Sequence, residues 1–290
     1  MNSRQVLEKA IIELKKSNKL TPELDSKILL GFVLGKNKKV HFHENLYISE
    51  EDRVKYEKII KIRASGKPVS RILGKRNFWN DDFSITSFTL DPRSESELLI
   101  EVVLNYFKDK NTRLQILDLG SGSGCLGLSI AKELSLSTLV NVDTCKKALY
   151  QVRINAKKLG IFDRNQYIHA DWFNKNWIEK IKSGTAKGTK INNYKFDLII
   201  CNPPYIKSKF ISKLQNEVKN YDPILALDGG EDGCDSYRAI FSNIKYLLSK
   251  EGVIVLEVGY DILKTVKQIV KNSGFKVLKI YKDLLGVDRV

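Results

Sequence analysis

The spacing of apolar residues changes along the chain, and each pattern predicts a different kind of structure. Residues 3–17 carry apolar side chains at the spacing of one helix face. Helix-start signals follow at Thr21, with Pro22 in the first helical position, and at Ser49. Because the predicted helices are short and amphipathic, we expect residues 1–75 to form a small helical bundle.

The pattern changes between residues 76 and 92. Phe78, Phe83 and Ile85 alternate with polar residues on either side of Asn80-Asp81-Asp82. Such alternation around a turn signal predicts a β-hairpin, which we expect to link two domains.

From residue 93 onward, short apolar runs alternate with helical stripes. This order is typical of an α/β domain, residues 93–290, with a doubly wound, mostly parallel sheet. The predicted strands are 114–119, 138–142, 165–169, 196–201, 252–258 and 275–281, and the predicted helices are 95–108, 124–134, 145–158, 236–249 and 261–272. Residues 182–195 are small, polar and basic, which predicts a mobile surface loop.

Composition argues against several classes of protein. No apolar run approaches the roughly 18 residues that a membrane-spanning helix needs, and no secretory signal is recognised at residues 1–5. The four cysteines lie far apart, as expected of reduced thiols, and His41 and His43 are interpreted as part of a polar turn. We therefore expect a cytoplasmic protein without a membrane segment or a metal site.

The net charge of +15 is unevenly distributed. Residues 1–76 hold 18 Lys and Arg against 9 Asp and Glu, and the remainder holds 31 against 25. A basic first quarter indicates an acidic partner or nucleic acid nearby. A solvated, lysine-rich surface without a partner is the equal alternative.

A strand followed by a glycine-rich turn predicts one ligand site. Residues 114–124 end in Gly120-Ser121-Gly122-Ser123-Gly124, where a ligand could approach the backbone and the start of a helix. Gly122-x-Gly124-x-x-Gly127, with Asp143 beyond the next strand, also satisfies the dinucleotide pattern. The turn alone fits NAD(P), FAD or S-adenosylmethionine.

Acidic residues at three successive strand ends favour S-adenosylmethionine. Asp118 would face the cationic sulfonium and ammonium groups, and Asp143 would accept from the ribose hydroxyls. Asp171 would accept from the adenine NH2, beside the flat wall of Trp172. Each aspartate alone could equally be a helix N-cap.

The second candidate site is Asn202-Pro203-Pro204-Tyr205, directly after the predicted strand 196–201. The prolines prevent a helix there and hold the preceding residues extended. The Asn202 side-chain oxygen and the Pro203 carbonyl could each accept one hydrogen of a planar NH2 group, with the Tyr205 ring on its face. The alternative is an ordinary turn ending a strand.

Together these motifs resemble the class I, Rossmann-like S-adenosylmethionine-dependent methyltransferases that modify a planar NH2 group. Within them, the chain is similar to the peptide-chain release factor glutamine methyltransferase family over nearly its whole length. The segments that carry this resemblance are 92–97 (Pro-Arg-Ser-Glu-Ser-Glu), 118–124, 171–173, 202–205, 221–223 and 226–233 (Ala-Leu-Asp-Gly-Gly-Glu-Asp-Gly).

The resemblance implies an enzyme that moves a methyl group from S-adenosyl-L-methionine to a glutamine side-chain nitrogen, leaving S-adenosyl-L-homocysteine. The acceptor would be the Gly-Gly-Gln motif of class I release factors. The family implies that Gly120 to Gly124, Asp143 and Trp172 bind the methyl donor, that Asn202 to Tyr205 hold the glutamine, and that Arg93 shapes the wall. We further expect the basic residues 1–75 to dock the substrate protein, nucleic acid not to be required, and the chain to be a monomer.

The sequence departs from the family pattern at two places, and several alternative functions stay open. Asp91 stands where the family has an aliphatic residue, and the loop at 182–195 looks long. A ribosomal-protein glutamine methyltransferase would carry the same motifs. A nucleic-acid amine methyltransferase would be expected to add a target-recognition domain, and a nicotinamide dehydrogenase would leave Asn202 to Tyr205 unexplained.

Overall fold

The computed structural model describes residues 1–36, 39–186 and 194–290. The chain forms two compact units. The first is Met1–Gly74 together with Asn216–Tyr221, and the second is Lys75–Gln215 together with Asp222–Val290. Segment 216–221, which the sequence analysis placed in the methyltransferase domain, thus belongs to the first unit.

Helices and strands are numbered in chain order. The helices are α1 (Ser3–Lys16), α2 (Pro22–Val33), α3 (Glu50–Ala64), α4 (Val69–Leu73), α5 (Glu97–Tyr106), α6 (Cys125–Glu133), α7 (Lys146–Lys158), α8 (Trp177–Ala186), α9 (Ser208–Ile211), α10 (Asn216–Lys219), α11 (Asp235–Phe241) and α12 (Leu263–Asn272). The strands are β1 (Lys75–Phe78), β2 (Asp81–Ser84), β3 (Gln115–Leu119), β4 (Thr138–Asp143), β5 (Asn165–His169), β6 (Phe196–Cys201) and β7 (Leu248–Leu256).

Helices α1 to α3 pack around a common apolar core and confirm the predicted helices. Leu7, Leu14 and Leu30 are fully buried together with Tyr56. The Asn2 side chain caps α1 by accepting from a backbone N–H of the first turn, which satisfies a donor that a helix leaves free.

A charged cluster inside the first unit ties segment 216–221 to this bundle. The buried Arg63 guanidinium donates to Asp25 at 2.7 Å and to Glu217 at 2.6 Å, and Lys19 lies 3.5 Å from Glu217. Because Arg63 and Asp25 are both about 95% buried, at 5% exposure each, removing one would leave the other charge unpaired in the interior.

The second unit begins with the predicted hairpin, in which β1 pairs antiparallel with β2. Its main sheet has the strand order β5-β4-β3-β6-β7, and the paired strands are parallel. Central-strand residues such as Ile116, Leu117, Ile199 and Ile200 are fully buried, because helices cover both faces. The predicted doubly wound α/β fold is therefore confirmed. The carboxyl ends of β3 and β6 lie side by side, where such sheets bind ligands.

Three predicted elements differ from the structure: strand 275–281, helix 236–249 and loop 182–195. Predicted strand 275–281 is wrong: the chain there has no strand ladder, only a bridge between Lys282 and Asp288. Its alternating pattern lacks a burying environment, since Leu278 is 67% exposed, and strand propensity depends on that environment. Predicted helix 236–249 is too long, because α11 ends at Phe241 and β7 already begins at Leu248.

The predicted loop 182–195 is wrong over its first part, because α8 continues to Ala186. Trp177, Ile178 and Ile181 form a buried helical stripe that extends into that segment. Gly184 allows close packing, since a Cβ there would lie 2.8 Å from Ile168. Residues 187–193 lie outside the described residues.

Each helix in the parts of the chain that the structure describes is too short or too polar to cross a lipid bilayer.

Candidate active site

The glycine turn after β3 is held by carboxylates that accept backbone N–H groups. Gly120, Gly122 and Gly124 all have positive φ (73°, 55° and 80°), so the turn reverses sharply into α6. Asp143, at the end of β4, accepts from Gly122 N at 2.9 Å and from Cys145 N at 2.8 Å. Burial raises the pKa of Asp143. Both of its oxygens keep a lone pair for a ligand hydroxyl.

Asp118 lies beneath this turn. It is 1% exposed, and its Oδ2 accepts from Gly127 N at 3.1 Å, near the start of α6. Burial raises the pKa of Asp118 to about 7, and the nearby negative charge of Asp143 adds to the rise. The structure thus shows Asp118 supporting the turn from below, while its predicted contact with a cationic ligand stays a prediction.

Trp172 closes the same turn from the side. A Cβ on Gly120 would lie 3.1 Å from the Trp172 ring, which is closer than most Cβ contacts, so glycine allows the ring to pack tightly against the turn. The Trp172 Nε1 is buried without a hydrogen-bond partner among the described residues. Asp171 Oδ1 accepts from Phe173 N at 2.9 Å. A flat ring, a free indole donor and the Asp143 carboxylate fit an adenosyl group.

The Asn202-Pro203-Pro204-Tyr205 motif directly follows β6. Two of its side chains donate hydrogen bonds to Glu257, which was not predicted from the sequence. Asn202 Nδ2 donates to Glu257 Oε2 at 2.8 Å and to Ser96 Oγ at 3.2 Å. The Ser96 hydroxyl also donates to Glu257 Oε2, and the Tyr205 hydroxyl donates to Glu257 Oε1 at 3.1 Å. One carboxylate therefore receives three side-chain donors from two separate segments of the chain.

Glu257 is 2% exposed and directly follows β7. Its backbone N–H donates to Cys201 O at 3.0 Å, and its carbonyl accepts from the Tyr237 hydroxyl at 2.7 Å. Burial raises the pKa of the Glu257 carboxyl, and the hydrogen bonds from Ser96 and Tyr205 oppose that rise. The sequence carried a signal for Glu257, since it is an acid that directly follows an apolar run, Val253 to Leu256, much as Asp143 follows the run of β4.

Two oxygens of the motif are left for a ligand. Neither Asn202 Oδ1 nor the Pro203 carbonyl accepts a hydrogen bond from any residue that the structure describes. Asn202 is half-buried, and both prolines are buried. Two acceptors from consecutive residues suit a group that offers two hydrogens.

The backbone of 226–233 supports the motif from behind. Ile206 N donates to Leu227 O at 2.9 Å, and Gly229 N donates to Ile206 O at 2.8 Å. A Cβ on Gly229 would lie 2.8 Å from Pro204 O and from Tyr205 Cα, so only glycine allows this approach. The Leu-Asp-Gly-Gly segment thereby holds Pro204 and Tyr205 in place.

Arg93 makes an ion pair with Asp222 at 2.5 Å, and the Asp222 side chain is 3% exposed. Asp91 N donates to Asp222 Oδ1 at 3.2 Å. Asp222 thus joins segment 221–223 to segment 91–93. The substrate contact expected of Arg93 stays a prediction.

The strand order, the glycine turn after β3 and the position of the Asn-Pro-Pro-Tyr turn after β6 define a class I methyltransferase fold. Family models agree: residues 5–74 match the PrmC N-terminal domain, and residues 90–218 match the methyltransferase small domain.

Curated relatives identify the family. The chain is 36% identical over 291 residues to the release factor glutamine methyltransferase of Clostridium acetobutylicum, covering 100% of this chain and 97% of that one. It is also 32% identical over 305 residues to the bifunctional methyltransferase of Rickettsia typhi, of which it spans 56%. The chain belongs to the release factor glutamine methyltransferase family.

One solved structure extends the comparison of folds. The catalytic domain of hMettl16 in complex with a 3′UTR hairpin matches with a TM-score of 0.52 and 14% identity, covering 84% of this chain and 81% of that one. At this identity the likeness concerns the fold alone.

Proposed function

We propose that this chain methylates the side-chain amide nitrogen of the glutamine in the Gly-Gly-Gln motif of class I peptide-chain release factors, in the cytoplasm. The observation that carries the proposal is the adjacent pair of free acceptors, Asn202 Oδ1 and the Pro203 carbonyl. A primary amide offers two N–H hydrogens in one plane, which this pair can accept together. The names of the relatives support the release factor as the source of that amide.

The methyl donor we propose is S-adenosyl-L-methionine, which supplies a methyl group on a cationic sulfonium and becomes S-adenosyl-L-homocysteine. Gly120 to Gly124 would contact its methionine part, Asp143 its ribose, and Trp172 with Asp171 its adenine. The fit of the glycine turn, the Asp143 lone pairs and the free Trp172 Nε1 supports this assignment.

The chain's own residues would act by positioning. An amide nitrogen is a weak nucleophile because its lone pair is delocalised into the carbonyl. Accepting both N–H hydrogens at Asn202 and Pro203 orients the nitrogen and increases its electron density, while the Tyr205 ring covers the amide plane. Such fixed geometry makes the transfer nearly unimolecular, which is worth up to about 7–11 kcal/mol in model systems. No strong base is required, because the N-methylated amide cation is a strong acid and water or a carbonyl oxygen can take its proton.

The substrate test compares separately purified acceptors. The chain is incubated with methyl-labelled S-adenosylmethionine and a class I release factor, ribosomal proteins or DNA, and mass spectrometry locates the label. We expect label on the Gly-Gly-Gln glutamine, and none on a release factor whose motif reads Gly-Gly-Ala. Label on a ribosomal protein or on a nucleobase, with none on the release factor, would refute the substrate assignment.

We further propose that the basic first unit docks an acidic surface of the release factor. Lys9 and Lys16 are exposed on the same face of α1. Charge complementarity of this kind chiefly raises the association rate and is screened by salt. The double variant Lys9→Glu/Lys16→Glu should raise KM for intact release factor but not for a short Gly-Gly-Gln peptide. An equal KM for both forms of the enzyme on intact factor would contradict docking by this face.

A further inference from the structure

The hydrogen bonds around Glu257 bear on which way the Asn202 amide faces. Asn202 Nδ2 lies 2.8 Å from Glu257 Oε2, and Glu257 is 98% buried, at 2% exposure. Both Glu257 oxygens accept hydroxyl hydrogens, from Ser96 and from Tyr205, so the group presents acceptors only and the Asn202 atom that faces it must be a donor. The NH2 end of Asn202 therefore turns toward Glu257, and the oxygen end turns toward the acceptor site.

An asparagine at this position without a fixed neighbour could turn by 180° and present its NH2 group instead. That orientation would place two donors, the enzyme NH2 and the substrate NH2, against each other. Ser96 does not settle the orientation by itself, because a hydroxyl both donates and accepts. Glu257 settles it, since its Oε2 also receives the Ser96 hydrogen and leaves the Ser96 oxygen as a second acceptor for Asn202 Nδ2.

Resting on the proposed function, we propose that Glu257 is the positioning residue of the acceptor site: it locks the Asn202 amide with Oδ1 toward the substrate and, through its other oxygen, holds the Tyr205 ring. Glu257 acts through Asn202 and Tyr205. Its two oxygens are already occupied by donors of the chain, so it is placed to orient the acceptor site and not to take a proton from the substrate.

The sharpest test exchanges the two chemical groups. Glu257→Gln offers Asn202 an NH2 group and allows the amide to turn over, while Asn202→Asp places a second carboxylate against Glu257. Each single variant should lower kcat by about 100-fold, the order expected when a reacting group is misplaced. In the double variant Glu257→Gln/Asn202→Asp, the glutamine NH2 donates to Asp, whose other oxygen again faces the substrate as an acceptor. Its kcat should return to within about 10-fold of the unmodified enzyme, with KM little changed.

The same kcat measurements include a control variant and can contradict the proposal. Glu251→Gln makes the identical change at an exposed position of β7 and should leave kcat unchanged. If the losses of the two single variants multiply in the double variant, Glu257 does not act through Asn202 and the proposal fails. Melting temperatures of the unmodified enzyme and of every variant are compared, so that unfolding is excluded as the cause of a lower kcat.

A readout independent of activity separates this proposal from the proposed function. In protein labelled with 15N-asparagine, the Asn202 side-chain NH2 signal is assigned by its loss in Asn202→Asp. We expect a downfield, exchange-protected proton that moves upfield and loses protection in Glu257→Gln, but not in Glu251→Gln. An unprotected signal in the unmodified protein would overturn the lock, whichever substrate is methylated. Absence of methyl transfer to the release factor would instead refute only the proposed function.

Discussion

The two loops at the carboxyl edge of the sheet are built in opposite ways. On the side of β3 and β4, carboxylates accept backbone N–H groups: Asp143 holds Gly122 and Cys145, and Asp118 holds Gly127. On the side of β6 and β7, a single carboxylate accepts from side chains, and it reaches Ser96, Asn202 and Tyr205 from distant parts of the chain.

This difference matches the roles proposed for the two loops. Backbone donors are kept on mutation to any residue except proline, so the first loop keeps a fixed shape that suits a constant methyl donor. Side-chain donors set the direction of one amide and one ring, which suits the proposed recognition of a planar nitrogen. We therefore expect substitutions at the first loop to affect binding of the methyl donor, and substitutions at the second to affect the transfer step.

The largest expected effect comes from Asn202→Ala, which removes one of the two free acceptors. We expect kcat to fall by about 100- to 1000-fold, as when a single preorganised hydrogen-bonding group is removed from an active site. The Kd for S-adenosylmethionine, measured by calorimetry, should stay within experimental error because the β3 side is untouched. Full activity in this variant would contradict the mechanism.

Asp143→Asn should show the reverse pattern. It removes the charge that accepts from Gly122 and Cys145 and turns an NH2 group toward one of them. We expect the Kd for S-adenosylmethionine to rise by about 10- to 100-fold, since hydrogen bonds to charged groups contribute about 1.5–3 kcal/mol. At saturating donor, kcat should change only about 3-fold, because the acceptor geometry that sets the transfer step is intact. A large fall in kcat with unchanged Kd would erase the proposed division between the two loops.

Gly229→Ala tests the support behind the acceptor loop. Its Cβ would lie 2.8 Å from Pro204 O and Tyr205 Cα, which are backbone atoms that cannot move aside cheaply. We expect a loss of about 1–3 kcal/mol in unfolding free energy by chemical denaturation. Gly160→Ala gives the reference for backbone strain alone: Gly160 has φ of 71° but nothing within 4 Å of a Cβ, so a loss of about 1 kcal/mol is expected there. A loss below about 0.5 kcal/mol in Gly229→Ala would show that close packing at Gly229 is unimportant.

The smallest expected effect concerns pH and Asp118. Burial raises the pKa of Asp118 to about 7, above its unfolded value, so the folded state binds the proton more tightly. Its contribution to stability is complete below about pH 4 and is lost as pH rises through 7. Between pH 6 and 8 that loss amounts to about 1 kcal/mol. Asp118→Asn keeps an acceptor for Gly127 N and should flatten this part of the stability curve, whereas Asp163→Asn, on the surface, should not. A curve that stays as steep in Asp118→Asn would assign the pH dependence to other groups.

The same difference explains what could be predicted from sequence. The glycine turn and its acids lie within about thirty residues, and each acid ends an apolar run, so local patterns suffice to bring them together. Asn202 was predicted because prolines restrict their neighbours locally. Glu257 was missed because its partners lie 55 and 161 residues away along the chain, at Asn202 and Ser96, and only the tertiary fold makes them neighbours. Strand 275–281 was wrongly predicted for a related reason, since its pattern says nothing about whether a partner strand exists.

Segment 216–221 has a practical consequence for dividing the molecule. It belongs to the first unit, while the residues on both sides of it belong to the second, so the chain changes units after 74, after 215 and again after 221. Neither unit is an uninterrupted stretch of sequence. A fragment starting at residue 75 would expose Glu217 without its partners Arg63 and Lys19, and a soluble catalytic fragment calls for a short replacement of these six residues as well as the N-terminal truncation.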